Sequence, residues 1–547
     1  MAGRGSRVRS VVDKANSKLS VQWAAILLSG STMLSSLLGI YRDRLINGMY
    51  LDTYKVGADA YVAAFTVPDF MYFLLVSGAL SVSFIPVFNQ RLASGNKRSA
   101  WELSSSLLNL FAVLTLITSV LIIIFADPLV RYVVGPGFGE QGHALAVSMM
   151  RIIAVNPFLF AIATVVSSMQ QAIGRFTFLA LAPTIYNLGI VVGAKYFTNG
   201  INIFGWQIFD GGIMGVALGV VLGSFLQLIV SAVGLAGLGF DYNFKIYWRN
   251  KGFRKVLSLL PARSVDQGMD YVVSLVEVNL ASRLADGTVR AYQQALTLHM
   301  MPINLIGVAI SNAAFPQLTE HLGEGRNDLF QKDLRSLLRI IFWMALPVSV
   351  VIFFTRGYVV HFISNGGVPL IAGILGCLVV AILFRTIYHM AARAFYARQD
   401  TKTPLYISIF SITLNIILAI VLSMVLKMGA YGLAWAQSTV AVLEVVVLLA
   451  VMNRQMPKLF DMTFVRAIFK MIIAGTVTGA VCYIAVLIMP FRYHDDSFFS
   501  AFPKFVIISL VSFGTYAAAS KWLKLPEIDP ILARLKKVLF GRLEFKG

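Results

Sequence analysis

Long apolar runs, repeated along the chain, constrain its fold more than any other feature. Fourteen runs of about 20 residues are separated by short polar loops, and a run of that length spans the hydrocarbon core of a bilayer. Their bounds are approximately 21–40, 57–88, 103–126, 147–172, 178–197, 211–238, 255–280, 291–317, 336–355, 367–394, 404–426, 430–452, 464–489 and 502–522. Only 13% of the 547 residues are charged, about half the usual share in soluble domains. The sequence predicts an all-α polytopic membrane protein with about 14 transmembrane helices.

Charge placement predicts the orientation of these helices. The chain has 46 Lys and Arg against 26 Asp and Glu, and the basic residues favour the two tails and the even-numbered loops. The positive-inside rule therefore predicts that both termini are cytoplasmic. Basic residues in short loops, without a soluble basic domain, argue against nucleic-acid binding. The basic N-terminal tail is not expected to be a cleaved signal peptide.

An internal repeat of about 220 residues divides the first twelve runs into two sets of six. The segment 174–190 resembles 398–418, with a proline and then an asparagine in each, and 211–219 resembles 428–436. Six helices per copy give both copies the same orientation, as in transporters with parallel repeats and a substrate site between two lobes. We predict a basic N-terminal tail (1–19), an N-lobe (20–240), a C-lobe (241–452), two further helices (453–523) and a basic amphipathic cytoplasmic tail (524–547).

Prolines lie inside several of the apolar runs, at Pro68, Pro157, Pro302 and Pro347. Proline removes a backbone hydrogen bond, and the freed groups must be covered by protein or face a cavity. We therefore expect interrupted helices at these positions.

Charged residues at membrane depth mark the candidate site. The first hairpin carries Arg42, Asp43 and Asp59. Such residues usually face a water-filled cavity or a partner within the protein. The hairpin is predicted to line a substrate pathway and to supply substrate-binding residues.

The seventh and tenth runs carry the remaining candidates. Asp266, Asp270 and Glu277 share one helical face, and Arg263 precedes them by less than one turn. We predict substrate binding by Arg263 and Asp270, and ion coupling by Asp266, Asp270 and Glu277. In the tenth run, Arg385 and Arg393 are further substrate-binding candidates. The alternative is that these charges pair with one another and serve packing alone.

Enzyme and metal motifs are not found in the sequence. There is no P-loop, HExxH motif or nucleophile elbow, and the two cysteines, Cys377 and Cys482, both lie in apolar runs. We expect neither enzymatic activity nor a metal site, and no cofactor other than a coupled monovalent ion.

Several motifs resemble those of the MurJ (MviN) family. They are GxxRD at Gly39–Asp43, ADAYVAAFTVPD at 58–69, FIPVF at 84–88, GPGF at 135–138, GRFTFLALAPTIYN at 174–187 and AFYARQDTKTP at 394–404. Members of that family are bacterial lipid II flippases of the multidrug/oligosaccharidyl-lipid/polysaccharide exporter superfamily, with fourteen spans in two lobes. The resemblance covers about the first 450 residues and implies a MATE/MurJ-like fold.

The resemblance also implies roles for individual residues. The family's phosphate-binding arginine in the first helix falls on Arg42, its neighbouring acid on Asp43, and the aspartate opening the second helix on Asp59. Other charged family positions fall on uncharged residues, namely Ser36, Tyr72, Ser77 and Thr297.

The leading functional hypothesis is a flippase in the bacterial plasma membrane. Its cargo would be a polyprenyl-diphosphate-linked cell-wall precursor, moved by alternating access during peptidoglycan biosynthesis. Membrane lipids and cell-wall synthesis proteins are the expected partners. Two alternatives are an exporter of small cations coupled to Na⁺ or H⁺, and a non-transporting scaffold for cell-wall enzymes.

Overall fold

The computed structural model describes residues 21–77, 84–203, 206–364, 368–457, 459–491 and 498–529. Some side chains within these ranges are not described, chiefly those at 259 and 261–270. The predicted tails, 1–19 and most of 524–547, lie outside the described residues. The described chain divides into two compact units, one ending at Arg290 and the other beginning at Ala291.

The first unit contains nine helices and a β-hairpin among its described residues, and a tenth helix begins at its end. These are α1 (Val21–Tyr50), α2 (Lys55–Tyr72), α3 (Ile85–Ala93), α4 (Lys97–Pro128), α5 (Glu140–Ile153), α6 (Asn156–Ile173), α7 (Thr177–Tyr196), β1 (Ile201–Ile203), β2 (Trp206–Phe209), α8 (Met214–Val233), α9 (Lys251–Ser282) and α10 (Thr288–Pro302). The antiparallel strands pair Ile203 with Trp206.

The second unit continues α10 and adds seven helices among its described residues. They are α11 (Ala309–Gly323), α12 (Asn327–Ile363), α13 (Pro369–Ala397), α14 (Lys402–Ile420), α15 (Ala430–Gln455), α16 (Met462–Ile488) and α17 (Phe498–Trp522). Trp343 on α12 packs with Met471 of α16 and Tyr516 of α17. The last two helices are therefore packed against α12.

Twelve helical segments among the described residues are long and apolar enough to cross a membrane. Large apolar side chains on α4, including Leu116, Ile117 and Ile124, are about half exposed, as expected for a surface that faces hydrocarbon. In its described residues, each of the fourteen predicted runs overlaps one or two of the helices α1 to α17. Because parts of α1 and α9 have undescribed side chains, the count of fourteen membrane spans stays a prediction.

Wide π-helical turns follow a proline-containing helix in each unit. Helix α2 continues through Pro68 to Tyr72, so the helix is not interrupted at the proline itself, and it then passes into the π-helical turn Phe73–Ser77. In the second unit, Pro302 ends α10 and is followed directly by the π-helical turn Ile303–Val308. Proline leaves a carbonyl without its usual helical donor, and a π turn changes the hydrogen-bond register locally.

The other two prolines behave differently from each other. Pro157 lies at the start of α6, directly after the break that separates it from α5. Helix α12, however, runs without interruption through Pro347. There, loss of one backbone hydrogen bond is not enough to end a helix of 37 residues, so the expected interruption is wrong at this position.

Helix α9 packs within the first unit, whereas the sequence repeats predict that it belongs to the second lobe. The rings of Tyr271 on α9 and Phe73 are stacked 4.2 Å apart, and Asn279 Nδ2 donates to the carbonyl of Val133 at 2.7 Å. These contacts explain the division near Arg290, and the predicted lobe boundary at 240 stays a prediction.

Candidate functional site

Arg42 links α1 to α7 through polar side chains. Its Nη2 lies 3.0 Å from Asp43 Oδ1, and its Nη1 donates to Asn187 Oδ1 at 2.8 Å. Asn187 in turn donates from Nδ2 to the carbonyl and hydroxyl oxygens of Ser35, both at 3.2 Å. The guanidinium group is therefore held in a fixed orientation by a carboxylate and an amide on different helices.

A second arginine, Arg290, reaches the same carboxylate. It is only 4% exposed, and its Nη2 lies 3.4 Å from Asp43 Oδ1. Its Nε donates to Asn47 Oδ1 at 2.9 Å, and the guanidinium lies 5.7 Å from the centre of the Tyr61 ring. Asp43 thus interacts with two cations.

Asp59 completes this network by capping the start of α10. Its Oδ2 accepts a hydrogen bond from the Gly287 N–H at 2.6 Å, and its Oδ1 accepts one from the Arg290 N–H at 2.7 Å. The first N–H groups of a helix have no partner within the helix and carry partial positive charge, so a carboxylate stabilises them. Asp59 is 3% exposed and supplies this cap from another helix.

We call Arg42, Asp43, Asp59, Asn187 and Arg290 the Arg42 cluster. It lies wholly within the first unit and brings together three of the predicted site residues, Arg42, Asp43 and Asp59. Its two guanidinium groups and two carboxylates balance in formal charge. An anionic ligand that binds an arginine here must therefore compete with an internal carboxylate.

Arg290 was not among the predicted site residues. The predicted eighth apolar run begins at residue 291, so Arg290 falls just outside it. No local sequence pattern marks Arg290 as a partner of Asp43.

The second unit holds the other predicted arginines, both on α13. Arg385 Nη1 lies 2.7 Å from Glu444 Oε2, and Glu444 is buried. Arg393 Nη2 instead donates to the neutral amide oxygen of Asn312 at 2.7 Å, and its guanidinium lies 5.4 Å from the Phe315 ring centre. Among the described contacts, Arg385 has a carboxylate partner and Arg393 has none.

The predicted residues of the seventh run lie on α9. The side chains of Arg263, Asp266 and Asp270 are outside those that the structure describes. Glu277 is buried at 3% exposure. Their assignment to substrate binding and ion coupling therefore stays a prediction.

The described part of the chain contains no group of three or more His, Cys, Asp and Glu residues placed to hold a metal ion. The described sites consist of guanidinium groups, carboxylates and amides.

Known proteins with similar sequences share most of this chain. The family model described as "Lipid II flippase MurJ" matches residues 54–502. The chain is 25% identical over 464 residues to a probable lipid II flippase MurJ of Bdellovibrio bacteriovorus, covering 83% of this chain and 86% of that protein. It is 24% identical over 519 residues to the corresponding protein of Thermotoga maritima, covering 93% and 98%.

Solved structures show the same fold. A lipid II flippase MurJ in an inward closed conformation superposes with a TM-score of 0.73 at 22% identity, covering 95% of this chain and 99% of that one. An inward-facing MATE transporter of the MOP superfamily gives a TM-score of 0.64 at 17% identity, covering 79% and 98%. The family match extends over the Asp59 and Arg290 positions of the Arg42 cluster and over both arginines of α13. The chain belongs to the MurJ family of lipid II flippases.

Proposed function

We propose that this protein moves a polyprenyl-diphosphate-linked cell-wall precursor of the lipid II type from the cytoplasmic to the outer leaflet of the plasma membrane. Membership of the lipid II flippase family supports this function. The structural observation that carries the mechanism is the sharing of one buried carboxylate, Asp43, by Arg42 and Arg290. Guanidinium groups bind phosphate oxygens in the same forked geometry that they use for carboxylates.

In the proposed cycle, the diphosphate takes the place of Asp43 on one or both arginines. The backbone N–H of Arg290 donates to Asp59. Movement of the Arg290 side chain would therefore also strain or break that hydrogen bond. Arrival of the cargo is thereby linked to release of the first turn of α10. Alternating access then follows without covalent chemistry.

Within the second unit, Arg393 is the proposed phosphate-binding residue. It lies eight residues after Arg385 on α13, on the same helical face, with His389 between them. Because Arg385 is neutralised by Glu444 and Arg393 is bound to an amide, Arg393 is the better candidate of the two for phosphate.

Energy coupling and orientation belong to the same proposal. Both termini are cytoplasmic, and the acids Asp266, Asp270 and Glu277 of α9 bind a monovalent cation that resets the carrier. Moving one charge across the membrane is worth about 2.3 kcal/mol per 100 mV, so membrane potential contributes to the return. The enzymes that make and consume the precursor are its functional partners.

A reconstituted transport assay tests the function. The purified protein is placed in vesicles with a fluorescent polyprenyl-diphosphate-linked precursor, and exposure of the head group on the opposite leaflet is followed over time. Arg42→Gln and Arg290→Gln should each slow transport about tenfold to a hundredfold, because a hydrogen bond to a charged group contributes about 1.5–3 kcal/mol.

Arg98→Gln is the matched control, since Arg98 is an exposed arginine paired with Glu102. It should transport normally. Transport of the precursor at the rate of protein-free vesicles by the folded wild type would refute the proposal. Movement of a small organic cation instead would support the exporter alternative, and movement of neither would support a scaffold.

A further inference from the structure

The connection between α8 and α9, residues 234–250, is held in place although it contains no regular secondary structure. We call it the strap. The Tyr247 N–H donates to Ser106 Oγ at 2.9 Å, and Asn109 Nδ2 donates to the carbonyl of Asn243 at 2.7 Å. Tyr242 Oη donates to Asn109 Oδ1 at 2.6 Å. Polar side chains of α4 therefore fix the backbone of the strap.

A series of aromatic rings leads from the core of the first unit to the surface of the strap. Successive ring centres of Phe88, Trp101, Phe240, Tyr242 and Phe244 lie 5.7, 5.3, 6.2 and 4.9 Å apart. Phe88 is fully buried, whereas Phe244 is 86% exposed. The exposed ring is thus supported from beneath.

A second exposed ring, Trp248, is supported in the same way. It packs on the buried Phe253 with ring centres 5.5 Å apart, and it is 54% exposed. Large exposed rings on a fixed backbone have an unfavourable contact with water. Rings held in this way are suited to contact with a surface that is less polar than water.

Basic residues surround these rings. Lys245, Arg249, Lys251, Arg254 and Lys255 are all exposed. Asp241 is the one acid between residues 234 and 255. The surface is therefore strongly cationic as well as aromatic.

The strap packs against one end of α4. It contacts α4 from Ser105 to Asn109, near the beginning of a membrane-length apolar segment that runs from Lys97 to Val134. Aromatic side chains are enriched at the level of lipid headgroups, and clusters of Lys and Arg bind anionic headgroups there. The exposed rings and the basic residues of the strap are thus both of the kind found at the level of lipid headgroups.

We propose that the strap is a binding surface for anionic phospholipid headgroups, with Phe244 and Trp248 inserted at the membrane interface. This surface is separate from the Arg42 cluster. Like the proposed function, lipid binding by the strap requires that the protein lies in the membrane. It does not depend on the identity of the cargo. It fixes the start of α9 relative to the bilayer surface.

Photocrosslinking in nanodiscs tests this assignment. Phe244 is replaced by a photoreactive phenylalanine analogue in the full chain, which is assembled with phosphatidylcholine containing a minor fraction of phosphatidylglycerol. Lipid adducts identified by mass spectrometry should be enriched in phosphatidylglycerol above its share of the bilayer. The analogue at Tyr406, an exposed residue of α14, should give adducts in proportion to bilayer composition.

Removal of basic residues from the strap is the second part of this test. Lys245→Gln/Arg249→Gln should reduce the enrichment by about fivefold for each charge removed, because a basic residue near an anionic surface contributes about 1 kcal/mol. Lys332→Gln/Lys402→Gln, which removes two exposed lysines elsewhere, should leave it unchanged. Absence of lipid adducts, or adducts without enrichment, would overturn the proposal. Crosslinking of Phe244 to a soluble protein in native membranes would replace it with a protein-docking surface.

Discussion

Asp59 joins two parts of the chain that are 228 residues apart in sequence. The sequence identified Asp59, Arg42 and Asp43 as charges that need partners, because unpaired charge at membrane depth is costly. It did not identify Arg290 or Asn187 as those partners. Such pairings depend on how distant helices pack, and no local pattern in the sequence determines that.

The capping role of Asp59 leads to a stability prediction. Asp59→Asn keeps one acceptor oxygen but removes the negative charge that the first turn of α10 favours. We expect a loss of about 1–2 kcal/mol in the free energy of unfolding, measured by denaturation in detergent. Asp52→Asn, at an exposed residue nearby, should have little effect. Equal stability of the two variants would contradict the capping role.

The ion pair between Arg385 and Glu444 leads to a second prediction. Arg385→Met leaves the buried Glu444 without its cation, which typically costs about 3–5 kcal/mol. The double variant Arg385→Met/Glu444→Met should recover much of that loss, because no buried charge remains. Thermal unfolding of both variants and of Glu444→Met forms a complete cycle. Additive effects would show that the two side chains do not stabilise each other.

At the scale of helices, α7 and α8 are joined by direct contact of their backbones. A Cβ atom added at Gly193 would overlap the Cα of Gly219, and one at Gly189 would overlap that of Gly223. Within each helix the two glycines are four residues apart, which is the small-residue pattern that allows close packing in membranes. This contact was predictable from the sequence, since the glycines repeat regularly within apolar runs.

Replacement of one of these glycines tests the packing. Gly193→Ala should reduce stability by about 1–3 kcal/mol, because the added methyl group forces the helices apart. Gly30→Ala is a suitable comparison, since nothing lies within 4 Å of the added Cβ and alanine favours a helix by about 0.5–1 kcal/mol. The two substitutions should therefore change the unfolding temperature in opposite directions.

Asp461 caps the start of α16 and gives that helix a pH dependence. Hydrogen bonds from the Thr463 hydroxyl at 2.6 Å and the Phe464 N–H at 2.9 Å hold the pKa of Asp461 below its usual value. A lower pKa in the folded state means that the carboxylate stabilises the fold above about pH 4, its pKa when unfolded. This contribution disappears as the pH falls through the folded-state pKa.

Comparison with Asp461→Asn isolates the charge. Wild type should have the higher unfolding temperature at pH 7, and the difference should narrow as the pH falls from 5 towards 3. A protonated aspartic acid and an asparagine are similar in shape, so the two proteins converge. A difference that is constant across this range would assign the effect to something other than ionisation.

At the scale of the whole molecule, the fold was the most predictable property. A bilayer allows only helices or closed barrels to cross it, so apolar runs of about 20 residues nearly determine the architecture. The repeats predict two sets of six helices, which stays a prediction, and they do not predict the packing of α9 in the first unit. That packing depends on contacts such as Tyr271 with Phe73, which sequence similarity between repeats does not encode.

Orientation in the membrane gives a prediction for the whole chain. In a variant with Cys377→Ala and Cys482→Ala, Met428→Cys should react with an impermeant maleimide in intact cells. Ser94→Cys should react only after the cells are opened, because its loop is predicted to be cytoplasmic. Both positions are exposed. The reverse labelling pattern would invert the assigned orientation.

The balanced charges of the Arg42 cluster have a consequence for inhibitor chemistry. A monoanionic compound that binds Arg42 exchanges one carboxylate for another and gains little binding energy from the exchange. We expect a compound with two adjacent anionic groups to engage Arg42 and Arg290 together and to gain from chelation. Screening for inhibitors of this protein should therefore favour dianionic, diphosphate-like scaffolds over simple carboxylic acids.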